Sequence, residues 1–351
     1  MSTLIIPCAG KSSRFPNMKP KWMLTYPDGK LMIEKALEGI NTDIFQRIII
    51  TIVQTHVEKY EAKLILEQVF ENNKKIEICV LENFTQSASE TIYLTLKKMN
   101  VTGSVVIKDS DNKVVFNMPE KISNAIVGCD INNHRDISNI PAKSFLIVNQ
   151  QNIIQDIIEK QVVSKFICLG VYMFENALNF IKTYDILLQK NVQGEMFVSH
   201  IISYMLTCNN TIFTLITADV FEDWGTLAEW QQSQKKHRTY FVDVDGIILK
   251  NSGKYGLVNW QNNKILLEEN VKTLLDLQQE GAQIVITTSR PEEYKTDLVN
   301  TLNSAGIFPY AVLTGLNHAS RVIINDFAPT NPYPSSIAIS IPRNTHIKDY
   351  L

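Results

Sequence analysis

The sequence predicts an α/β protein of two domains, each built on a mainly parallel sheet. Apolar β-rich runs alternate with stretches of helical period along most of the chain. A polar segment at residues 231–237 interrupts this alternation, which then restarts with a new strand. A chain of 351 residues is long enough for two hydrophobic cores. The domains are therefore predicted at residues 1–234 and 238–351.

The first domain begins with strands and helices in alternation, which predicts a parallel sheet with helices on both faces. The predicted strands are Leu4–Pro7, Ile48–Val53, Ile76–Leu81 and Val105–Lys108, and the predicted helices are Leu31–Ile40, His56–Phe70 and Ala88–Met99. Beyond Phe116 the runs become shorter and more antiparallel. They lie at Ala125–Cys129, Ser144–Val148, Ile153–Glu159 and Lys165–Phe174, before a helix-rich stretch at Ala177–Leu206.

The second domain follows the polar segment 231–237, which is interpreted as a linker. Its predicted elements are a strand at Thr239–Val244, a helix at Leu267–Glu280, a strand at Gln283–Thr288, a helix at Glu292–Ala305 and a strand at Val322–Asn325.

Composition and charge exclude several classes of protein. Hydrophobic residues make up 45% of the chain and charged residues 20%, as is typical of a folded globular protein. A net charge of -2 favours neither nucleic acid nor an anionic membrane as a partner. The start lacks a cationic leader, and the 5 cysteines show no zinc spacing, so we expect a cytoplasmic protein with reduced thiols.

The first candidate site is a glycine-containing loop directly after the first strand. In such a loop the backbone N–H groups around Gly10 can face phosphates, and the side chains of Arg14 and Lys21 add positive charge. A plain turn is an equally good interpretation of this loop alone. Asp111 lies at the end of a strand and Asp223 precedes a glycine turn. Two aspartates converging on one Mg²⁺ suit phosphate chemistry, although a turn cap and an unrelated Asp-Trp pair are the alternative.

Together these motifs resemble the sugar-phosphate nucleotidyltransferase family over roughly residues 1–230. The resemblance implies a mixed, mainly parallel, Rossmann-like sheet, Mg²⁺ as the cofactor, and Asp111 and Asp223 as the metal ligands. Asp109 competes with Asp111, which is preferred because Asn112 completes the family's Asp-Asn pair. The implied nucleotide-binding residues are Ala9, Gly10, Lys11, Gln86 and Ser87, and the implied acceptor-binding residues are Lys160, Gly170, Tyr172 and Glu195.

The implied reaction needs no covalent intermediate. A phosphate oxygen of the acceptor attacks the α-phosphorus of a nucleoside triphosphate, and pyrophosphate leaves. Arg14 and Lys21 would stabilise the pyrophosphate, while Lys160 would position the acceptor's phosphate. The resemblance favours a pyrimidine nucleotide, with a sugar 1-phosphate or a small phospho-alcohol as acceptor.

The second candidate site is the Asp243-Val244-Asp245-Gly246 turn after a strand. One carboxylate of such a pair can attack phosphorus, and the other can act as general acid and base. A calcium loop or a plain turn has the same sequence. Followed by Thr288 and Asp326, the turn resembles the haloacid dehalogenase superfamily over about residues 238–335. The resemblance implies a smaller, uncapped Rossmannoid domain.

The same resemblance implies roles for the individual residues of the second site. Asp243 would be the nucleophile, Asp245 the general acid and base, and Thr288 the residue that holds the phosphoryl group. Asp243, Asp245 and Asp326 would hold Mg²⁺. The family's phosphate-binding lysine is not evident, and Arg321 is the nearest cation.

The sequence therefore predicts a bifunctional enzyme that transfers a nucleotidyl group and hydrolyses a phosphate monoester in the same pathway. The resemblance places that pathway in the synthesis of capsule or surface-glycan precursors. Two alternatives stay open: a transferase with a regulatory or dimerising second domain, and a nucleotide-binding sensor. The expected partners are small molecules, and homo-oligomerisation is left open.

Overall fold

The computed structural model describes residues 2–134, 137, 139–190, 194–254, 256–261, 264–326 and 335–351. The chain divides into two compact units, residues 1–230 and residues 231–351. Within the described residues, no helix is both long enough and apolar enough to cross a membrane.

The first unit is built on one large mixed sheet. Its strands are β1 (Ser2–Pro7), β2 (Arg47–Val53), β3 (Ile76–Leu81), β4 (Ser104–Lys108), β5 (Asn112–Phe116), β6 (Ala125–Asp130), β7 (Ser144–Val148), β8 (Ile153–Glu159), β9 (Phe166–Phe174) and β10 (Phe213–Asp223). Their order is β3-β2-β1-β4-β9-β6-β10-β8-β7, with β5 paired to β10. Strands β1 to β4 are parallel, whereas β9 runs antiparallel to β4 and β6. The mixed α/β sheet predicted for the first domain is confirmed.

Helices cover both faces of this sheet, as strands that are apolar on both sides require. The helices are α1 (Met32–Leu37), α2 (Gln54–Tyr60), α3 (Ala62–Val69), α4 (Ala88–Lys98), α5 (Ala177–Gln189), α6 (Val198–Cys208) and α7 (Leu227–Lys236). Along β1, Ile5 packs into one buried cluster while Leu4 and Ile6 pack into another. This alternation follows from the two-residue period of a strand.

Two predicted segments differ in the structure. The helix predicted at His56–Phe70 is divided into α2 and α3 because Glu61 adopts a left-handed conformation with φ 51°. Residues 231–236, which belong to the segment interpreted as a linker, form the second half of α7. Glutamine and lysine are good helix formers, so a polar composition alone does not imply a loop.

In the described residues of the second unit, three parallel strands form a sheet in the order β11-β12-β13. Its elements are β11 (Thr239–Asp243), α8 (Leu257–Trp260), α9 (Glu268–Glu280), β12 (Gln283–Thr287), α10 (Lys295–Ser304) and β13 (Ala311–Leu313). Val242, Ile286, Leu274 and Leu302 are among the side chains of its own core.

The strand predicted at Val322–Asn325 is wrong, because this segment has no regular structure. Val322 and Ile324 are 79% and 93% exposed. β-Branched residues favour a strand only where a sheet edge receives them, and this segment joins none. β11 is an edge strand of the sheet, and its Phe241 is 55% exposed.

Candidate functional site

A buried lysine shapes the turn that carries the acidic residues of the first unit. Lys108, the last residue of β4, has 0% exposure. Its Nζ donates to the carbonyl oxygens of Asp109 at 2.6 Å and Asn112 at 2.8 Å, and to Asn112 Oδ1 at 2.5 Å. Burial lowers the pKa of Lys108 to about 8. The Asn112 amide in turn donates to the carbonyl of Leu169 at 3.2 Å, which ties the turn to β9.

Asp111 and Asp223 meet because β5 and β10 pair in antiparallel register, with Asp223 opposite Asn112. The backbone N–H of Trp224 donates to the carbonyl of Asp111 at 2.8 Å. A Cβ atom at Gly225 would lie 3.1 Å from Asp223 Oδ1 and 3.3 Å from Asp111 Oδ2. Both carboxylates therefore border the same small space, which glycine leaves open. Paired carboxylate oxygens of this kind suit Mg²⁺.

Three cations surround this carboxylate pair. Lys21 Nζ donates to Asp111 Oδ2, and Lys143 Nζ forms an ion pair with Asp223 Oδ2. Arg14 Nη1 would lie 3.5 Å from the Cβ atom placed at Gly225. Burial raises the pKa of Asp111, but the charge and hydrogen bond of Lys21 outweigh it, and the resulting pKa is about 2. Asp111 is therefore ionised at neutral pH, as a metal ligand must be.

Asp109 lies on the other side of the turn. Its backbone N–H donates to the carbonyl of Gly170 at 2.8 Å, and its carboxylate occupies the position where a Cβ atom of Gly170 would lie. Burial and the nearby charge of Asp111 raise the pKa of Asp109 to about 6. Among the described residues, no three His, Cys, Asp or Glu side chains are grouped so that they could hold a metal ion together.

The predicted nucleotide-binding segments lie side by side. The N–H of Thr85 donates to the carbonyl of Ala9 at 3.2 Å, which joins the first loop to the segment that holds Gln86 and Ser87. Gly10, Lys11 and Gln86 are exposed. Ser87 is largely buried and caps α4, because its Oγ accepts the N–H of Glu90 at 3.1 Å.

The predicted acceptor-binding residues are more widely distributed. Lys160 is exposed, and its Nζ lies 4.1 Å from the centroid of the Phe197 ring. The preceding Glu159 accepts hydrogen bonds from Ser144 at 2.5 Å and Ser199 at 2.7 Å. The side chain of Tyr172 belongs to the core and is only 8% exposed, whereas Glu195 is exposed.

Lys143 is a site residue that sequence reasoning missed, as it missed Lys108 and Arg290. It lies between a 3-10 turn at Ile140–Ala142 and the start of β7, where a lone lysine has no distinguishing sequence pattern. A hairpin between β7 and β8 could have signalled it. Ser144 pairs with Glu159 in that hairpin, so Lys143 falls opposite the predicted site residue Lys160.

Comparison with solved structures identifies the fold of about two thirds of the chain. A nucleoside-diphosphate-sugar pyrophosphorylase from Vibrio cholerae is 19% identical with a TM-score of 0.54, covering 66% of this chain and 99% of its own. A UDP-glucose pyrophosphorylase in complex with UDP-glucose is 12% identical with a TM-score of 0.51, covering 67% and 97%. The CTP:phosphocholine cytidylyltransferase of Streptococcus pneumoniae is 16% identical with a TM-score of 0.50, covering 66% and 97%.

About two thirds of this chain has the nucleotidyltransferase fold. This is the share of the chain that residues 1–230 make up. No protein-family model matches the sequence. No curated protein matches it at a significant level either.

The second unit places its two predicted catalytic aspartates in different surroundings. Asp243 ends β11 with its side chain 43% exposed, and Arg321 Nη2 lies 3.6 Å from its Oδ1. Burial raises the pKa of Asp243. Asp245 instead accepts two hydrogen bonds from the buried Arg290, at 3.0 Å and 2.7 Å, and one from Asn259 at 3.0 Å.

The two remaining predicted residues of the second site, Thr288 and Asp326, also lie in different surroundings. Thr288 is buried directly after β12, whose Thr287 pairs with Asp243 in the sheet. The Thr288 Oγ1 accepts the N–H of Arg290 at 3.2 Å. Asp326 is exposed, and within the described part of the chain no contact joins its carboxylate to Asp243 or Asp245. The structure thus brings Asp243, Asp245 and Thr288 to one sheet edge but does not bring Asp326 there.

Proposed function

We propose that the first unit transfers a nucleotidyl group from a nucleoside triphosphate to a phosphorylated acceptor and releases pyrophosphate. One observation carries the proposal. Two carboxylates, from Asp111 and Asp223, border one open space and are surrounded by the cationic side chains of Arg14, Lys21 and Lys143. This arrangement can bind a metal together with several phosphates, and no nucleophilic side chain is required.

The carboxylates of Asp111 and Asp223 would hold the metal. Bound there, Mg²⁺ supplies positive charge that offsets the phosphate charge and fixes the alignment of the two substrates. Arg14 and Lys21 attract the β- and γ-phosphates, and Lys160 the acceptor's phosphate. An oxygen of that phosphate forms the new bond to the α-phosphorus. The bond from the α-phosphorus to the bridging oxygen breaks, and pyrophosphate leaves with the electron pair.

The substrates are proposed at the level of chemical class. The loop around Ala9, Gly10 and Lys11, with Gln86 and Ser87 beside it, would hold a pyrimidine nucleotide. The acceptor would be a sugar 1-phosphate or a small phospho-alcohol, bound near Gly170, Tyr172 and Glu195. A cytoplasmic role in making capsule or surface-glycan precursors agrees with such substrates.

Pyrophosphate release tests this proposal directly. The full chain is assayed with Mg²⁺ and each of CTP, UTP, dTTP, GTP and ATP, with and without a panel of sugar 1-phosphates and phospho-alcohols. We expect release that requires both one nucleotide and one acceptor, and that EDTA abolishes. Release without any acceptor would indicate hydrolysis, and no release with any pair would refute the transferase.

We infer a second activity for the second unit, the hydrolysis of a phosphate monoester by a haloacid dehalogenase-like domain. The supporting observation is that Asp243 ends β11 partly exposed, while Thr288 follows the neighbouring strand. Asp243 would attack phosphorus and displace the alcohol, which Asp245 would protonate, and water would then release phosphate from Asp243. Asp243 and Asp245 would hold Mg²⁺, which would offset the phosphate charge. Phosphate release from p-nitrophenyl phosphate tests this activity, and we expect steady release that depends on Mg²⁺. The absence of release would favour a regulatory or dimerising domain.

A further inference from the structure

Lys143 neutralises a carboxylate that the proposed function assigns to the metal. Its Nζ forms an ion pair with Asp223 Oδ2, and the two side chains are only 17% and 11% exposed. Neither the base, the triphosphate nor the metal requires a lysine at the start of β7. The residue therefore needs its own explanation.

The two metal-facing aspartates are neutralised in parallel ways. Lys21 contacts Asp111, and Lys143 contacts Asp223. A divalent cation between the carboxylates would repel both ammonium groups and compete for the same oxygens. When a metal binds there, each lysine must therefore move to another anion, and phosphate groups are the anions that a nucleotidyl transfer brings to this place.

The position of Lys143 indicates which phosphate it meets. Lys21 lies on the side of the triphosphate loop, since its N–H donates to Ser12 Oγ at 3.3 Å. Lys143 instead belongs to the β7–β8 hairpin, where its carbonyl accepts the N–H of Lys160 at 3.0 Å. The backbones of the two lysines are thus neighbours, and Lys160 is the residue proposed to meet the acceptor's phosphate.

We propose that Lys143 is a second acceptor-phosphate residue, which holds Asp223 in the free protein and moves to the acceptor's phosphate when the metal binds. This proposal rests on the proposed nucleotidyl transfer. It implies that Mg²⁺ binds weakly to the free protein and more tightly when phosphate is present. Because such coupling is reciprocal, Mg²⁺ strengthens phosphate binding by the same factor.

Calorimetric titration of the free protein with Mg²⁺ tests the first half of the proposal. The Lys143→Met variant should bind Mg²⁺ about tenfold more tightly than the unmodified protein, because its carboxylate pair has lost a competing cation. Lys165→Met is the matched control, since Lys165 is 57% exposed and pairs with Asp130. Unchanged Mg²⁺ affinity in Lys143→Met would overturn the proposal.

Steady-state kinetics test the second half. In Lys143→Met the KM for the acceptor should rise about tenfold or more, because a charged hydrogen bond is lost, and the KM for the nucleotide should stay within about twofold. Lys143→Arg should restore part of the acceptor affinity, which a purely structural role would not predict. A rise confined to the nucleotide KM, or no change in either, would contradict the assignment.

Failure of the proposed transferase is distinguishable from failure of this inference. If the unmodified protein releases no pyrophosphate with any pair, Mg²⁺ is titrated with and without inorganic phosphate. Phosphate should strengthen Mg²⁺ binding in the unmodified protein and not in Lys143→Met. Equal strengthening in both proteins would remove Lys143 from the site, whatever reaction the site performs.

Discussion

The two units use pairs of aspartates in opposite ways. In the first unit, Asp111 and Asp223 are far apart in sequence and meet across two paired strands, each with its own lysine. In the second unit, Asp243 and Asp245 are separated by one residue, yet one is partly exposed and the other is held by Arg290. Distance along the chain is thus a poor guide to which carboxylates share a space, since strand register and buried partners decide it.

The largest expected effect comes from breaking the pair in the first unit. Asp223→Ala should lower nucleotidyl transfer by about 10³-fold or more, because under the proposed function it removes a metal ligand and the negative charge that orients the cations. Hydrolysis of p-nitrophenyl phosphate should be unchanged. Asp219→Ala is the control, because Asp219 is exposed on the same strand. Equal activity of the two variants would remove Asp223 from the site.

Breaking the second site should give the reverse pattern. Asp243→Asn should lower phosphate release by at least about 10³-fold, because an amide cannot form the phosphoryl intermediate, and transfer should be unchanged. The exposed Asp276 on α9 offers a matched Asp→Asn control. Persistent hydrolysis in Asp243→Asn would show that another group attacks phosphorus.

Replacing the arginine that contacts each aspartate, Arg321 for Asp243 and Arg290 for Asp245, tests whether the two carboxylates differ in their contribution to stability. Arg290→Met should lower the free energy of unfolding by about 3–5 kcal/mol, because it leaves the carboxylate of Asp245 without its buried ion-pair partner. Arg321→Met should change it by no more than about 0.5 kcal/mol, because Arg321 is 42% exposed. Urea unfolding followed by circular dichroism measures both. Similar losses would mean that the two aspartates are held alike.

A smaller effect concerns acid sensitivity next to the first site. His56 is buried between the rings of Trp22 and Phe84, and burial lowers its pKa to about 4. Its Nδ1 has no hydrogen-bond partner among the residues that the structure describes. The unfolded chain therefore takes up this proton first as the pH falls. Stability from neutral His56 is complete above pH 6.5 and declines toward pH 4, by about 3 kcal/mol in all.

The same urea unfolding experiment, repeated at several pH values between 7 and 4, measures this decline. His56→Gln should flatten the pH dependence in that window, because glutamine does not take up a proton. An unchanged slope in the variant would assign the acid sensitivity to other groups.

The sequence was enough to predict the helices and strands that show a clear hydrophobic periodicity. Strands β1 to β4, strands β6 to β9 and the helices α9 and α10 follow from periodicity, because an apolar face must be buried whatever its neighbours are. Strands β5 and β10, which bring Asp111 and Asp223 together, were not predicted. The segments that failed are those whose structure depends on a partner. Val322–Asn325 has strand-forming residues but no sheet edge, and residues 231–236 continue a helix that begins at Leu227.

The sequence by itself determined the strand–helix alternation and the residue types of both sites, because these depend on side-chain chemistry and local period. Only the tertiary structure decided which of them meet. The register of β5 and β10 places Asp223 beside Asp111, and the β7–β8 hairpin brings Lys143 into the same space. A buried arginine, Arg290, binds Asp245. Such contacts join residues far apart in the chain, and packing rather than local sequence selects them.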